Sequence, residues 1–407
     1  MPADRSLSGL DPSTGRSITV TAHDGLISSI EPSEPSKRTE SAEGAGSTEG
    51  GPPGRRRWIS AGLVDLQVNG FGGHDLNAAS LSVETVVALA RRLQACGVTT
   101  FVPTLVTAPH EQTAQALTVV AAARRADALV AHSIPYVHLE GPHLSPQDGP
   151  RGVHDQAHIR PPSLREFDAW QQGSGDLVGL VTLSPHYPGS ARYISELTSR
   201  GVHVAIGHTH ATPEQIHAAA QAGAGLSTHL GNGAHAVLPR HPNYLWSQLA
   251  EDRLTACFIA DGHHLPPDTL TAMIRAKGTE RSVLVSDAVA VAGLAPGRYR
   301  TPVGGSVELR ADGSLRATGT PYLAGAARSL ADGVAHTART VGLDLAQALR
   351  LATVQPGRFT GGRGRLEVGR PADVIRFSYA RGDTALDVDT AWVLGQDLPQ
   401  AQQGSSS

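Results

Sequence analysis

The chain has 407 residues, with 34 Lys and Arg against 37 Asp and Glu, for a formal net charge of −3. So even a balance gives no electrostatic case for nucleic acid or an anionic membrane as partner. No apolar run approaches a membrane span either: residues 114–131 are interrupted by Arg124, Arg125 and Asp127.

The length suits a barrel with a small companion domain. The first ten residues lack the basic start and apolar core of a secretory signal. Cys96 and Cys257 stand in apolar segments without paired or metal-binding spacing. Together these features fit buried thiols in a reducing, cytoplasmic setting.

Residues 17–30 alternate apolar and polar side chains around Asp24-Gly25, which predicts a hairpin. Residues 31–57 are then Ser-, Gly-, Pro- and Glu-rich with almost nothing apolar, and are expected to form a disordered loop. From Trp58 the character changes. Apolar runs bounded by turns recur at 63–68, 98–106, 134–140, 177–183, 202–208, 225–229, 254–261 and 282–287, giving eight candidate strands.

Helical patterns lie between many of them. Residues 81–96 carry apolar side chains at helical spacing up to Gly97. Thr212-Pro213-Glu214-Gln215 supplies an N-cap, a first-turn proline and a reciprocal capping Gln for a helix ending at Gly223. Eight such alternations predict an α/β fold, a (β/α)8 TIM-like barrel. Beyond it, residues 304–315 read as a hairpin, 328–341 as a helix and 365–377 as strand. The expected organisation is an N-terminal share of a small β-sandwich domain over residues 1–57, the barrel over 58–360, and the sandwich's C-terminal share with a flexible tail over 361–407.

Several of these strands stop at a polar side chain: Glu140, His208, His229 and Asp287. Barrel enzymes keep their chemistry at the strand C-termini. One Glu and two His supply three ligands for a zinc-like ion with one position left over. Taken singly, each has a plainer reading: Glu140 as half of an arginine ion pair, each His as a strand-end residue, Asp287 as a helix cap or structural salt bridge. A carboxylate ending an apolar strand is costly unless paired or bound to a cation, however, and the four together favour a metal-dependent hydrolase. Asp287 is then placed to accept a proton from the attacking water and return it to a leaving amine.

His210 forms an apparent His-x-His with His208 but falls after the strand. His263-His264 offers an imidazole in the loop after the seventh strand. His74, His143, His154, His158, His235 and His241 read as loop residues, of which His143 and His235 are candidates to line the pocket. Strand one carries Gln67 and Asn69 where two-metal barrel hydrolases carry His-x-His, and amides are poor zinc ligands. That predicts one metal per chain.

In their order and spacing, Gly62-Leu63-Val64-Asp65-Leu66-Gln67-Val68-Asn69-Gly70, His138-Leu139-Glu140-Gly141-Pro142, Gly207-His208-Thr209, Thr228-His229-Leu230-Gly231-Asn232, Ala260-Asp261-Gly262-His263-His264 and Ser286-Asp287-Ala288 resemble the N-acetylglucosamine-6-phosphate deacetylase family of the amidohydrolase superfamily. The resemblance implies Glu140, His208 and His229 as ligands of one divalent ion, Zn2+ first, with Fe2+, Mn2+ or Co2+ as alternatives. It implies Asp287 as general base and acid. His264 would contact substrate, and Asn232 with the Gly233 backbone would hold a sugar phosphate. Leu323 would belong to a loop closing over substrate, and Val153 would line the site. Arg240 would reach into a neighbouring subunit, implying a homodimer.

The chain departs from the family where substrate is recognised. Asn232-Gly233-Ala234-His235 replaces Asn-Ala-Met-Pro, His210 replaces a smaller residue, Val153 replaces a small polar residue or Ala, and the loop over 144–152 is lengthened. The expected reaction is therefore deacetylation of an amino sugar phosphate, with another N-acyl amino sugar or pseudo-sugar, phosphorylated or not, as the alternative. A cyclic-amide hydrolase or deaminase would want His-x-His on strand one, and a non-enzymatic interaction protein of this fold would be expected to lose ligands.

Overall fold

The computed structural model describes residues 4–33, 55–319 and 323–397. Eight parallel strands form one sheet, in spatial order the chain order: Leu63–Val68, Val98–Val106, Val137–Glu140, Val178–Leu183, His203–Ile206, Leu226–Ser227, Thr255–Ile259 and Ser282–Val285. Each coincides with a predicted run. They are buried on both faces, as parallel strands are. Val64, Leu66, Val102, Leu180, Ala205, Leu226, Cys257, Ile259, Val283 and Val285 pack together in one apolar cluster, while Leu63, Val68, Phe101, Leu139 and Leu284 join the core built with the helices.

Side-chain caps start the helices, and the one predicted at Thr212 is among them. Ser82 accepts from the Thr85 amide ahead of Val83–Ala95, and Thr212 and Gln215 complete a capping box for Pro213–Gln221. A second box, Ser329 with Asp332, opens Leu330–Thr340.

The first and eighth strands close the ring by an irregular seam. At its top, the Asp287 amide donates to Gln67 O (3.0 Å) and the Asn69 and Gly70 amides to Ala288 O (2.8 and 3.0 Å). Lower down the two strands do not pair directly. The Val64 amide donates to Ala352 O and the Leu284 amide to Leu351 O, both at 2.8 Å, so that loop backbone is inserted between them. The Asp65 carboxylate bridges the junction: its Oδ1 accepts from the amides of Ser286 (3.1 Å) and Gln67 (3.3 Å).

The terminal segments form one seven-stranded sheet. Arg5–Leu10, Ser17–His23 and Leu26–Pro32 join Arg56–Ala61, which pairs antiparallel with Val374–Tyr379, followed by Asp387–Val393 and Gln396–Asp397. The sheet bends back on itself. Leu26 bridges Pro371, and the Ile27 amide donates to Arg370 O at 2.8 Å. The expected sandwich is thus made by a single folded sheet around Leu7, Val20, Ile27, Ile59, Val374 and Trp392.

Four expectations change in detail. The boundary at Trp58 falls inside strand Arg56–Ala61, because the apolar change there begins a sheet strand before the barrel starts. Residues 31–32 and 56–57 at the ends of the expected loop are strand, and its remainder lies largely outside the described residues, as does the tail beyond Asp397. The hairpin at 304–315 is a three-stranded sheet, Gly297–Thr301, Gly305–Leu309 and Leu315–Ala317, and strand character over 365–377 is confined to Val374 onward.

Candidate metal centre and active site

Each predicted strand-end residue lies at the top of the barrel, and three adopt a backbone that side chains resist. His208, His229 and Asp287 have φ of 47°, 27° and 48°. Left-handed backbone at a non-glycine residue is a cost that folds tolerate mainly where it aims a functional group. Glu140 Oε1 lies 3.1 Å from His208 Nε2 and 2.9 Å from His229 Nε2, and the two imidazole nitrogens are 3.0 Å apart. All three side chains are buried.

The donor chemistry fits a cation. His208 Nδ1–H donates to the Pro150 carbonyl at 2.7 Å, which leaves its Nε2 as a bare lone pair. That lone pair faces a carboxylate oxygen and a second imidazole nitrogen, whereas His229 Nδ1 has no hydrogen-bond partner among the described residues. Acceptors converging in a buried place are costly unless a positive charge sits among them. Burial opposes ionisation of Glu140, but the facing imidazoles of His208 and His229 hold its carboxyl well below the usual range.

Gln67 and Asn69 are spent on this cluster. The Gln67 amide donates to Glu140 Oε1 at 3.0 Å, and Asn69 Nδ2 donates to Asp287 Oδ1 at 2.7 Å. Burial, then the neighbouring Glu140 charge, pushes the Asp287 carboxyl up to about 6. His264 is anchored through Nδ1 to Asp261 Oδ2 at 2.7 Å, a bond that does not use its Nε2.

The other predicted residues are less tightly assembled. Asn232 Nδ2 donates to His229 O at 3.3 Å, and Gly233, at φ +54°, lies so close to His208 that a Cβ there would meet its Nδ1 at 2.7 Å. Val153 is 38% exposed at the end of the loop over 144–152. Leu323 bridges Arg316, and nearby Ala326 pairs with Ala288, next to Asp287. Arg240 is not brought to the centre. It is exposed on a loop, its carbonyl accepting from Trp246 Nε1 at 3.1 Å.

Two histidines matter more than their sequence context suggested. His154, expected as a loop residue, is buried with its ring 4.4 Å from that of His208, and it offers a donor atom within 4.8 Å of those of Glu140 and His208. His138 lies inside the barrel in a hydrogen-bonded run, with Nδ1 3.2 Å from Thr104 Oγ1 and Nε2 2.7 Å from Thr182 Oγ1, which is 2.6 Å from Thr228 Oγ1. Burial pushes His154 down to about 3 and His138 to about 4, so both are neutral imidazoles. His138 lies two residues before Glu140 on the same strand, and that alternation was the available signal. His154 had none, since it is brought in by loop geometry.

With this geometry in view, comparison with known proteins is decisive. The Amidohydrolase family profile matches residues 58–397. The chain belongs to that family.

A bovine N-acetylglucosamine-6-phosphate deacetylase is 34% identical over 366 residues, covering 85% of this chain and 84% of the relative. An N-acetylgalactosamine-6-phosphate deacetylase of Shewanella is 32% identical over 346 residues, covering 85% and 84%. The crystal structure of N-acetyl-D-glucosamine-6-phosphate deacetylase from Mycobacterium smegmatis superposes with a TM-score of 0.82 at 27% identity, over 97% of this chain and 100% of that one. Within the metal-dependent amidohydrolase family, the chain thus falls in the N-acetylglucosamine-6-phosphate deacetylase branch. No helix among the described residues is long and apolar enough to cross a membrane.

Proposed function

We propose that this protein hydrolyses the N-acetyl group of an amino sugar 6-phosphate, first of all N-acetylglucosamine-6-phosphate, giving glucosamine-6-phosphate and acetate. The observation that carries this is the convergence of Glu140, His208 and His229 donor atoms within 3.1 Å of one another, beside an Asp287 tethered by Asn69. One divalent ion, Zn2+ first, would be held by Glu140, His208 and His229. When bound, such an ion polarises the scissile carbonyl and lowers the pKa of water toward neutrality.

Asp287 takes the proton from the attacking water. The Asn69 amide occupies its Oδ1, which leaves Oδ2 for that task. The same carboxyl then delivers the proton to the nitrogen as the amine departs. His264 holds the acetamide or a sugar hydroxyl through Nε2, and Val153 and Leu323 line the substrate. Asn232 and the Gly233 backbone hold the phosphate.

Arg240 completes the phosphate site of a second copy of the chain, in a cytoplasmic homodimer. Its loop supports that role: Val237 is 88% exposed and Trp246 58% exposed beside it, an apolar surface suited to burial against a partner. A second reading, N-acetylgalactosamine-6-phosphate as substrate, is favoured by the Shewanella relative.

Acetate release from N-acetylglucosamine-6-phosphate, N-acetylgalactosamine-6-phosphate and unphosphorylated N-acetylglucosamine tests these readings. Strong preference for a phosphorylated sugar is expected, and turnover of neither phosphate by metal-loaded protein overturns the assignment. Metal analysis is expected to return about one ion per chain. Two tightly held ions would contradict the part given to Gln67 and Asn69.

A further inference from the structure

The loop over 144–152 wraps the outer side of His208. The Ser145 amide donates to the His208 carbonyl at 2.9 Å, and the Pro150 carbonyl accepts from His208 Nδ1 at 2.7 Å. The two contacts grip the backbone and the ring of the same residue. A carbonyl can only accept, so Pro150 dictates which ring nitrogen carries the proton.

What holds the loop is a pair of histidines, His210 and His235. Ser145 Oγ accepts from the Gln147 amide at 3.2 Å and is hydrogen-bonded to His210 Nδ1, 2.5 Å away. His235 forms a fully satisfied chain. Its amide donates to Tyr244 Oη at 2.8 Å, the Tyr244 hydroxyl donates back to His235 Nδ1 at 3.1 Å, and His235 Nε2–H donates to Gln147 Oε1 at 3.0 Å. Gly149 packs so closely that a Cβ there would lie 2.9 Å from His235 Cα and 3.0 Å from Ala234 O. The loop over 144–152, His210 and Ala234-His235 are thus one connected assembly.

We propose that residues 144–152 are a collar that fixes the tautomer and orientation of His208, and that His210 and His235 are the positioning residues that hold it closed. The proposal rests on His208 being a metal ligand. Partners that orient a metal-ligating histidine are worth about 10–100-fold in metal affinity.

The test measures the Zn2+ dissociation constant by competition with a chromophoric chelator, alongside the melting temperature of the metal-free protein. Gln147→Ala, His235→Ala and Ser145→Ala are each expected to weaken Zn2+ about 10-fold, with a faster off-rate and little change in melting. Gln147→Ala combined with His235→Ala is expected to be no worse than the poorer single variant, because both remove one bond. Asp148→Ala, whose carboxylate pairs with Arg151 within the loop, is the control expected to bind normally.

Should His235→Ala fold poorly, Gln147→Ala and Ser145→Ala still decide. Affinities within about threefold of the parent in both would overturn the collar while leaving the metal centre standing. A parent protein that binds no Zn2+ would instead remove the metal centre, and the collar with it.

Discussion

Asp287 is held by its neighbours in a way that makes its chemistry testable. Asp287→Asn keeps the shape and is expected to lower kcat by about 10²–10⁴-fold, the range for loss of a positioned acid–base group, while metal content stays near one per chain. Substantial turnover in that variant would refute the role. As a base, Asp287 must be ionised, and burial lifts its carboxyl to about 6. Activity in the parent should therefore fall as pH drops through the acid limb set by this group. A bound cation would draw that limb to lower pH.

Glu140, His208, His229 and Asp287 were legible because each ends an apolar run, where an unpaired polar group has no plain excuse. Asp65 was not. It was read only as part of a matching segment, yet it is fully buried with Oδ2 unpartnered among the described residues. Its role comes from a strand 221 positions away in sequence, whose Ser286 amide it receives.

At the scale of elements, the Asp65 bridge has a pH signature. Burial pushes its carboxyl up to about 7, against about 3.9 in an unfolded chain. The folded state therefore favours the protonated form. That contribution is complete below about pH 4 and is lost as pH rises toward 7. Between pH 5 and 8 the parent should lose about 2–3 kcal/mol of stability relative to Asp65→Asn, which cannot ionise. Parallel denaturation curves for the two proteins across that range would contradict the burial argument.

The helix caps were readable residue by residue, as Thr212 and Gln215 illustrate, because capping is local. Strand ends were less so. The run at 225–229 yields only Leu226–Ser227 as strand, since the chain turns at once to aim His229. Residues 365–373 look like strand in composition but carry Gly369 and Pro371, and they spend their backbone on the hairpin turn at Gly25 and Ile27.

Across the whole molecule, barrel and terminal sheet are joined by a polar cluster around the buried Asp373 carboxylate. Asp373, in the sheet's approach to Val374–Tyr379, takes His132 Nε2 at 2.8 Å, Arg363 Nη1 at 3.2 Å and the Leu394 amide at 3.0 Å. Removing one member of such a cluster strands the others. Asp373→Ala is expected to cost about 3 kcal/mol, read as a lower denaturant midpoint, with kcat unchanged in the protein that remains folded. An unchanged midpoint would show that the junction is carried by apolar packing alone.

The terminal sheet also sets a schedule for the ribosome. Strand Arg56–Ala61 finds its antiparallel neighbour only in Val374–Tyr379, and Trp58 bonds the Tyr379 carbonyl 321 residues later. At about 5–20 residues per second, one edge of an apolar strand waits roughly 15–60 s for its partner to be synthesised. An open edge for that long is an invitation to pair with another nascent chain. Chains stalled before Val374 should therefore be held by chaperones or clump on the polysome, while the finished chain needs neither.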